Sequence, residues 1–145
     1  VPGRGLEGPW LDTSRDTNFA HEAYVVVTEV LQKERDFLPL SSAISALGHL
    51  GDPCAIPLIT PFTTHPDARL RFGATFALGC FPDEPASVLA LLRLTEDTDD
   101  DVRDWATFGL DVQGGADSAE IRDALFRKLT DRNADVREEA MAGLA

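Results

Sequence analysis

The chain has 145 residues, 43% of them hydrophobic, and a formal net charge of −12. That length and apolar share suit one folded domain with a real core and exclude a disordered chain. The acidic balance excludes sequence-independent binding of nucleic acid and docking on anionic lipid, and it favours a basic partner if any charged one.

No apolar run approaches the ~20 residues of a membrane span. The start, Val1-Pro2-Gly3-Arg4-Gly5, has no apolar signal-peptide core, so a cytoplasmic location is expected. Cys54 and Cys80 are too few for a disulfide framework. Both sit among apolar neighbours and are expected to be small core residues in a reducing compartment.

Residues 1–16 are rich in Gly, Pro and charge, with Trp10-Leu11 as the one apolar pair. They are expected to form a flexible N-terminal arm, and residues 17–145 the folded unit. Asn18 is placed to cap a helix over Phe19 to Gln32. Ala23, Val26, Val27, Val30 and Leu31 recur there at spacings of three and four, which predicts one buried stripe. A second helix is predicted from Leu38 to His49, with Ala43, Ile44 and Leu47 inside. Asp52-Pro53 opens a third, from Cys54 to Thr63, which Pro61 should kink or stop. His65-Pro66-Asp67 turns into a helix from Ala68 to Cys80. Residues 81–85 turn again, and Ala86 to Thr95 is a strongly apolar helix. The acidic turn Glu96-Asp97-Thr98-Asp99 precedes the next helix. Residues 112–116 form a longer turn. Ser118 or Asp117 caps a helix to Leu129, and Asp131 to Asp135 turns into the last one.

Three of these helices share one frame. Leu70-Arg71, Val102-Arg103 and Val136-Arg137 are each followed by an alanine three residues after the arginine and a leucine seven after it. The copies lie 32 and 34 residues apart, a period that signals a stacked repeat array. No segment alternates as a strand does. Each helix pair exposes an apolar stripe that only the next pair can cover. The predicted fold is all-α: a right-handed α-solenoid of stacked antiparallel helix pairs, about four in number, the last incomplete. Ala74, Ala106 and Ala140 are small enough for close helix approach. Trp105 aligns with Gly73, so it either fills a gap between repeats or faces solvent as a partner anchor.

The phrase Ala46-Leu47-Gly48-His49-Leu50-Gly51-Asp52-Pro53, then Ala55-Ile56-Pro57-Leu58, and the three Leu/Val-Arg copies resemble bacterial HEAT repeats. The likeness covers residues 37–145 and is greatest to the short type first described in phycobilin lyases. It implies bonds between neighbouring repeats from a turn Asp to a first-helix Arg, at Asp67 with Arg71, Asp100 with Arg103 and Asp135 with Arg137. The copy at Pro39-Leu40 lacks the arginine, so the ladder should break there. The helix before it should be a degenerate cap.

Chemistry is harder to place. Asp97, Asp99 and Asp101 alternate like a calcium loop, but Val102 and Phe108 stand where Gly and Glu are required, so helix capping is the better reading. His21-Glu22 is a single dipeptide and closes no metal site. No Ser-His-Asp spacing, glycine-rich phosphate loop or CxxC is present. No cofactor or metal is therefore expected. Arg93, Arg122, Arg127, Lys128 and Arg132 make one local basic strip. These features point to a non-enzymatic module that binds a protein partner, with neither nucleic acid nor membrane. Its contact surface is expected on the concave face, at Thr60, Thr64, Arg93, Arg122 and Phe126. The alternatives are an acidic inhibitor of a basic partner and a chromophore-lyase component.

Overall fold

The computed structural model describes residues 13–111 and 118–145, with side chains from residue 20 onward. Of the arm expected at residues 1–16, residues 1–12 lie outside that description, as do the turn at 112–116, Asp117 and the side chain of Phe19; residues 13–16 belong to a helix. Every element among the described residues is helical.

Helix α1 (Thr13–Lys33) begins before Phe19, so Asn18 lies inside it and does not cap it. Helix α2 (Phe37–Leu50) ends at Gly51, whose φ of 68° is left-handed and suits a residue without Cβ. The third predicted helix is broken into a 3-10 turn (Pro53–Ala55), α3 (Ile56–Ile59) and a second 3-10 turn (Thr60–Thr64). Pro57 and Pro61 each remove a donor, so no long α-helical ladder can run through this segment. Then come α4 (Ala68–Leu78), α5 (Pro85–Leu94), α6 (Asp100–Asp111), α7 (Ala119–Lys128) and α8 (Ala134–Leu144). Except at α5, where Glu84 makes no side-chain cap bond, their starts are capped as the residue types dictate. Asp67 accepts from the backbone N–H of Arg69, Asp99 from Asp101 and Val102, Ser118 from Ile121, and Asn133 from Asp135 and Val136.

The helices stack as an α-solenoid. α2, α4, α6 and α8 pack side by side in a first layer, and α3, α5 and α7 form a second. α1 packs chiefly on α2, and its Tyr24 hydroxyl also donates to the Cys54 carbonyl in the 3-10 turn that follows α2. The repeated apolar positions carry the core: Leu70, Ala74, Val102, Ala106, Val136 and Ala140 are all buried. At Gly48 a Cβ would come within 3.0 Å of the Ala77 Cα, so glycine permits the close approach of α2 to α4.

Two apolar expectations fail. Val26 is 61% exposed, because α1 has one neighbouring helix to cover it and only a narrow stripe through Tyr24, Val27 and Leu31 reaches the core. Cys54 is exposed and Cys80 half-buried. Cys54 opens a 3-10 turn, its N–H held 2.9 Å from the Asp52 carboxylate, and that carboxylate pushes its thiol pKa up.

The repeat arginines act differently from the pairing that the resemblance implies. The Nη1 of Arg71 donates to the carbonyls of His65 (2.9 Å) and Pro66 (3.2 Å), in the turn before its own helix. Its Nε and Nη2 grip Asp97, in the turn before the next first-layer helix, at 2.9 and 3.0 Å. Arg103 repeats this with the carbonyls of Asp97 and Thr98 and with Asp131 at 3.0 and 2.9 Å. Arg137 donates to the carbonyls of Asp131 and Arg132. The partners between repeats are thus Asp97 and Asp131, not Asp67, Asp100 and Asp135. Asp67 caps its own helix and binds Arg69, and the Asp100–Arg103 bond stays within α6. The physical reason is position: Asp67 turns toward the N–H groups of its own helix, and Asp100 and Asp135 lie inside the first turns of α6 and α8, past the caps Asp99 and Asn133. In α2 the arginine place holds Leu40, and the matching carboxylate place holds His65, whose Nδ1 accepts from the Asp67 N–H. No clip joins α2 to the turn before α4, which is the break expected at Pro39-Leu40.

Arg103 is 5% exposed, so its loss strands a buried Asp131. Arg103→Leu is expected to lower unfolding free energy by about 3–5 kcal/mol, and Arg69→Leu at the exposed pair far less, as read by urea titration. Gly48→Ala forces Cβ onto backbone and is expected to cost about 1–3 kcal/mol by the same measurement.

Candidate functional site

The solvent-facing side of the first layer collects aromatic side chains. Phe72 and Phe76 stand one turn apart on α4, and Trp105 and Phe108 occupy neighbouring turns of α6. Trp105 meets all three edge-on, with ring centroids 5.7 Å from Phe72, 5.5 Å from Phe76 and 5.3 Å from Phe108. Such contacts add about 0.5–1.5 kcal/mol each beyond the buried area. Yet the cluster stays open to solvent: Phe76 is 39% exposed and the other three rings are partly so.

Trp105 does not plug the gap at Gly73, since a Cβ placed there meets nothing within 4 Å. The missing side chain instead opens a groove of 390 Å³. Phe37, Ser41 and Ser45 of α2 form one wall, Phe72 and Phe76 of α4 the other, with Asp99 and Asp101 at the rim. The Arg69 guanidinium lies 4.0 Å over the Phe37 ring and is tied to Asp67. A second hollow of 250 Å³ shares Phe76 with the first and runs under Trp105 and Phe108 to Gly109.

Beside the aromatic cluster lies a strip of carboxylates: Asp101 and Asp104 on α6, Asp135 and Glu139 on α8. The Oδ1 of Asp104 is buried with no hydrogen-bond partner. Burial, then the charges of Glu139, Asp135 and Asp101, push its pKa from the ordinary 3.8 up to about 6. Burial and the neighbouring Asp111, Glu138 and Asp135 raise Glu139 as well. None of the ion pairs among the described residues reaches this strip. Nor do any three His, Cys, Asp or Glu side chains among the described residues converge as metal ligands.

The residues singled out from sequence lie elsewhere, along the second layer. Thr60 and Thr64 are exposed in the turn after α3, but their hydroxyls donate to the carbonyls of Ile56 and Pro61. Arg93 on α5, and Arg122 and Phe126 on α7, are exposed, Phe126 at 67%. None of the five lines the groove. The expected basic strip is largely neutralised. Arg127 pairs with Asp123 at 2.8 Å, buried Lys128 with Glu96 at 2.9 Å, and Arg132 with Asp100 at 3.0 Å. Phe72, Phe76, Phe108 and Asp104 escaped the sequence reading. One signal was present: Phe76 and Phe108 occupy the same place in successive copies, where the third copy has Ala142.

Asp104 ionises less readily in the folded chain than in the unfolded one. Its stabilising influence is therefore complete below about pH 4 and lost as pH rises through about 6. Solvent screening at this half-exposed position limits the linked free energy, so Asp104→Asn is expected to add about 1 kcal/mol of stability at pH 7 and nothing at pH 3.5. Urea unfolding at the two pH values checks the sign.

Comparison with known proteins agrees with this architecture. The family described as HEAT repeats matches residues 25–111, from within α1 to the end of α6. Protein YibA of Escherichia coli strain K12 is 36% identical over 77 residues, and so is Protein YibA of Escherichia coli O157:H7. That stretch is 53% of this chain and 27% of each relative, so the chain corresponds to about a quarter of their length. The periodic helix pairs, the arginine clips and this match together make the chain a member of the HEAT-repeat family.

Proposed function

We propose that the chain is a non-enzymatic, cytoplasmic protein-binding module that holds its partner in the first-layer groove. The observation that carries this reading is the aromatic cluster around Trp105. Interior helix faces in a solenoid are covered by the next repeat, whereas these four rings stay partly exposed, Phe72 and Phe76 on the open groove and Phe76, Trp105 and Phe108 on the hollow beside it. Aromatic residues seated in a hollow are the usual energetic anchors of protein interfaces, because they bury much area at little loss of side-chain freedom. HEAT repeats in general suggest a scaffold for protein contacts, which supports the same class of function.

A second surface has one observation in its favour. Phe126 and Leu89 expose 67% and 50% of their surface on the second layer, where the concave-face contact was expected. The two surfaces separate by experiment. Tagged wild-type protein is used to capture its partner from the native cell, and the partner is then titrated against variants. Trp105→Ala and Phe76→Ala are each expected to weaken binding about tenfold or more, while Phe126→Ala changes it less than about twofold. The opposite order moves the contact to the second layer. Trp105→Ala is also expected to lose about 1.5–4.5 kcal/mol of stability with its three ring contacts, so Phe76→Ala is the cleaner of the two.

A further inference from the structure

We propose that the groove takes a cationic amphipathic segment of a partner protein. Apolar side chains of that segment lie against Trp105 and its phenylalanines, and its lysines or arginines lie over the carboxylates of α6 and α8. This rests on the first layer being the contact surface and adds the chemistry of what lies on it.

The argument is one of charge that finds no answer within the described residues. Carboxylates at the turns are matched: Asp97 by Arg71, Asp131 by Arg103, Glu96 by Lys128, Asp100 by Arg132. Asp101, Asp104, Asp135 and Glu139 are not. The arginines nearest in sequence cannot serve them, because Arg103 and Arg137 are held at the turns by backbone carbonyls. A cation that answers the exposed carboxylates of this strip, Asp101 and Asp135, therefore comes from another molecule. It would also lie close to the electron-rich rings of Trp105 and Phe108, which favour ammonium and guanidinium groups.

The other classes of ligand do not suit the surface. A metal ion finds no converging triad among the described residues. Nucleic acid is repelled by the carboxylates. A small organic cation would leave the trough beside Phe72 and Phe76 empty. A helix with an apolar stripe and a basic stripe matches both halves. Three steps between adjacent helices, from α2 to α8, span roughly 25–30 Å, which is the length of an α-helix of about 18 residues.

The test uses the whole chain and three synthetic helical peptides of about 18 residues with one apolar stripe. Their polar positions are filled with Lys, Gln or Glu, and affinity is read by calorimetry at two salt concentrations. The Lys peptide is expected to bind about tenfold or more tighter than the Gln peptide, and the Glu peptide not to bind. The double variant Asp104→Asn, Glu139→Gln is expected to lose about tenfold for the Lys peptide alone. A variant with the same charge change at a distance, Asp83→Asn with Glu120→Gln, is expected to change affinity less than about twofold. Equal losses in the two double variants would reduce the effect to net charge and overturn the proposal. If all three peptides bind alike and Trp105→Ala weakens each, the groove is the contact surface but the cationic inference falls. If the peptides bind and Trp105→Ala weakens none, both fall. Removal of Asp104 is expected to raise stability, so a loss of binding in that variant does not come from unfolding.

Discussion

The guanidinium of Arg103 sits where two turns of the chain meet. One edge holds carbonyls of the turn that precedes its own helix, and the other holds the Asp131 carboxylate of the next. Asp131 also closes its own turn, since its Oδ1 accepts from the Asn133 N–H. One side chain thus fixes the start of one helix relative to the start of its neighbour. Repeated at Arg71 and Asp97, the same contact sets the spacing of the first layer. Apolar packing alone leaves helices free to slide by a fraction of a turn, and these directional bonds remove that freedom. Lys128 and Glu96 join the same edge, so the polar network of the array is gathered at the turns.

The gathering has an effect on the opposite property. Because the arginines are spent at the turns, the faces of α6 and α8 that point to solvent carry carboxylates without cations. Such an arrangement lowers stability at neutral pH, and the unpaired Oδ1 of Asp104 shows where. A surface that costs stability and sits beside half-exposed rings has the character of a binding site, where local strain is offset by what binds.

How far the sequence spoke depends on what each residue answers to. The period of 32 to 34 residues made the stacked helix pairs legible, because every pair must repeat the same small and apolar positions. Pro61 announced the end of the third helix by local chemistry alone, whereas the 3-10 turn before α3 breaks the one continuous helix expected there. The clip was half legible: the arginines were found, but their partners were assigned to aspartates at or just inside the starts of their own helices. Sequence spacing does not tell which of several nearby carboxylates turns inward to cap and which turns across. The aromatic surface was less legible still. Trp105 was weighed against Gly73 as a knob for a gap, when the gap is the groove itself. Phe76 and Phe108 recur at the repeat period just as core residues do, and period alone cannot separate a ring that faces the next repeat from one that faces water. Lys128 was read as part of a basic face, yet its stem is buried and its ammonium is held by Glu96, a contact across 32 positions of sequence.

The missing clip bears on how the groove behaves as a mechanical object. Its α4 wall is braced to α6 through Arg71 and Asp97, while its α2 wall, with Leu40 in the arginine place, has no such brace. What joins α2 to α4 is apolar contact, the near touch of Gly48 on Ala77 and the Arg69 guanidinium over the Phe37 ring. The two walls of the trough are thus held unequally, one by directional ion pairing and the other by contacts that fix no single direction.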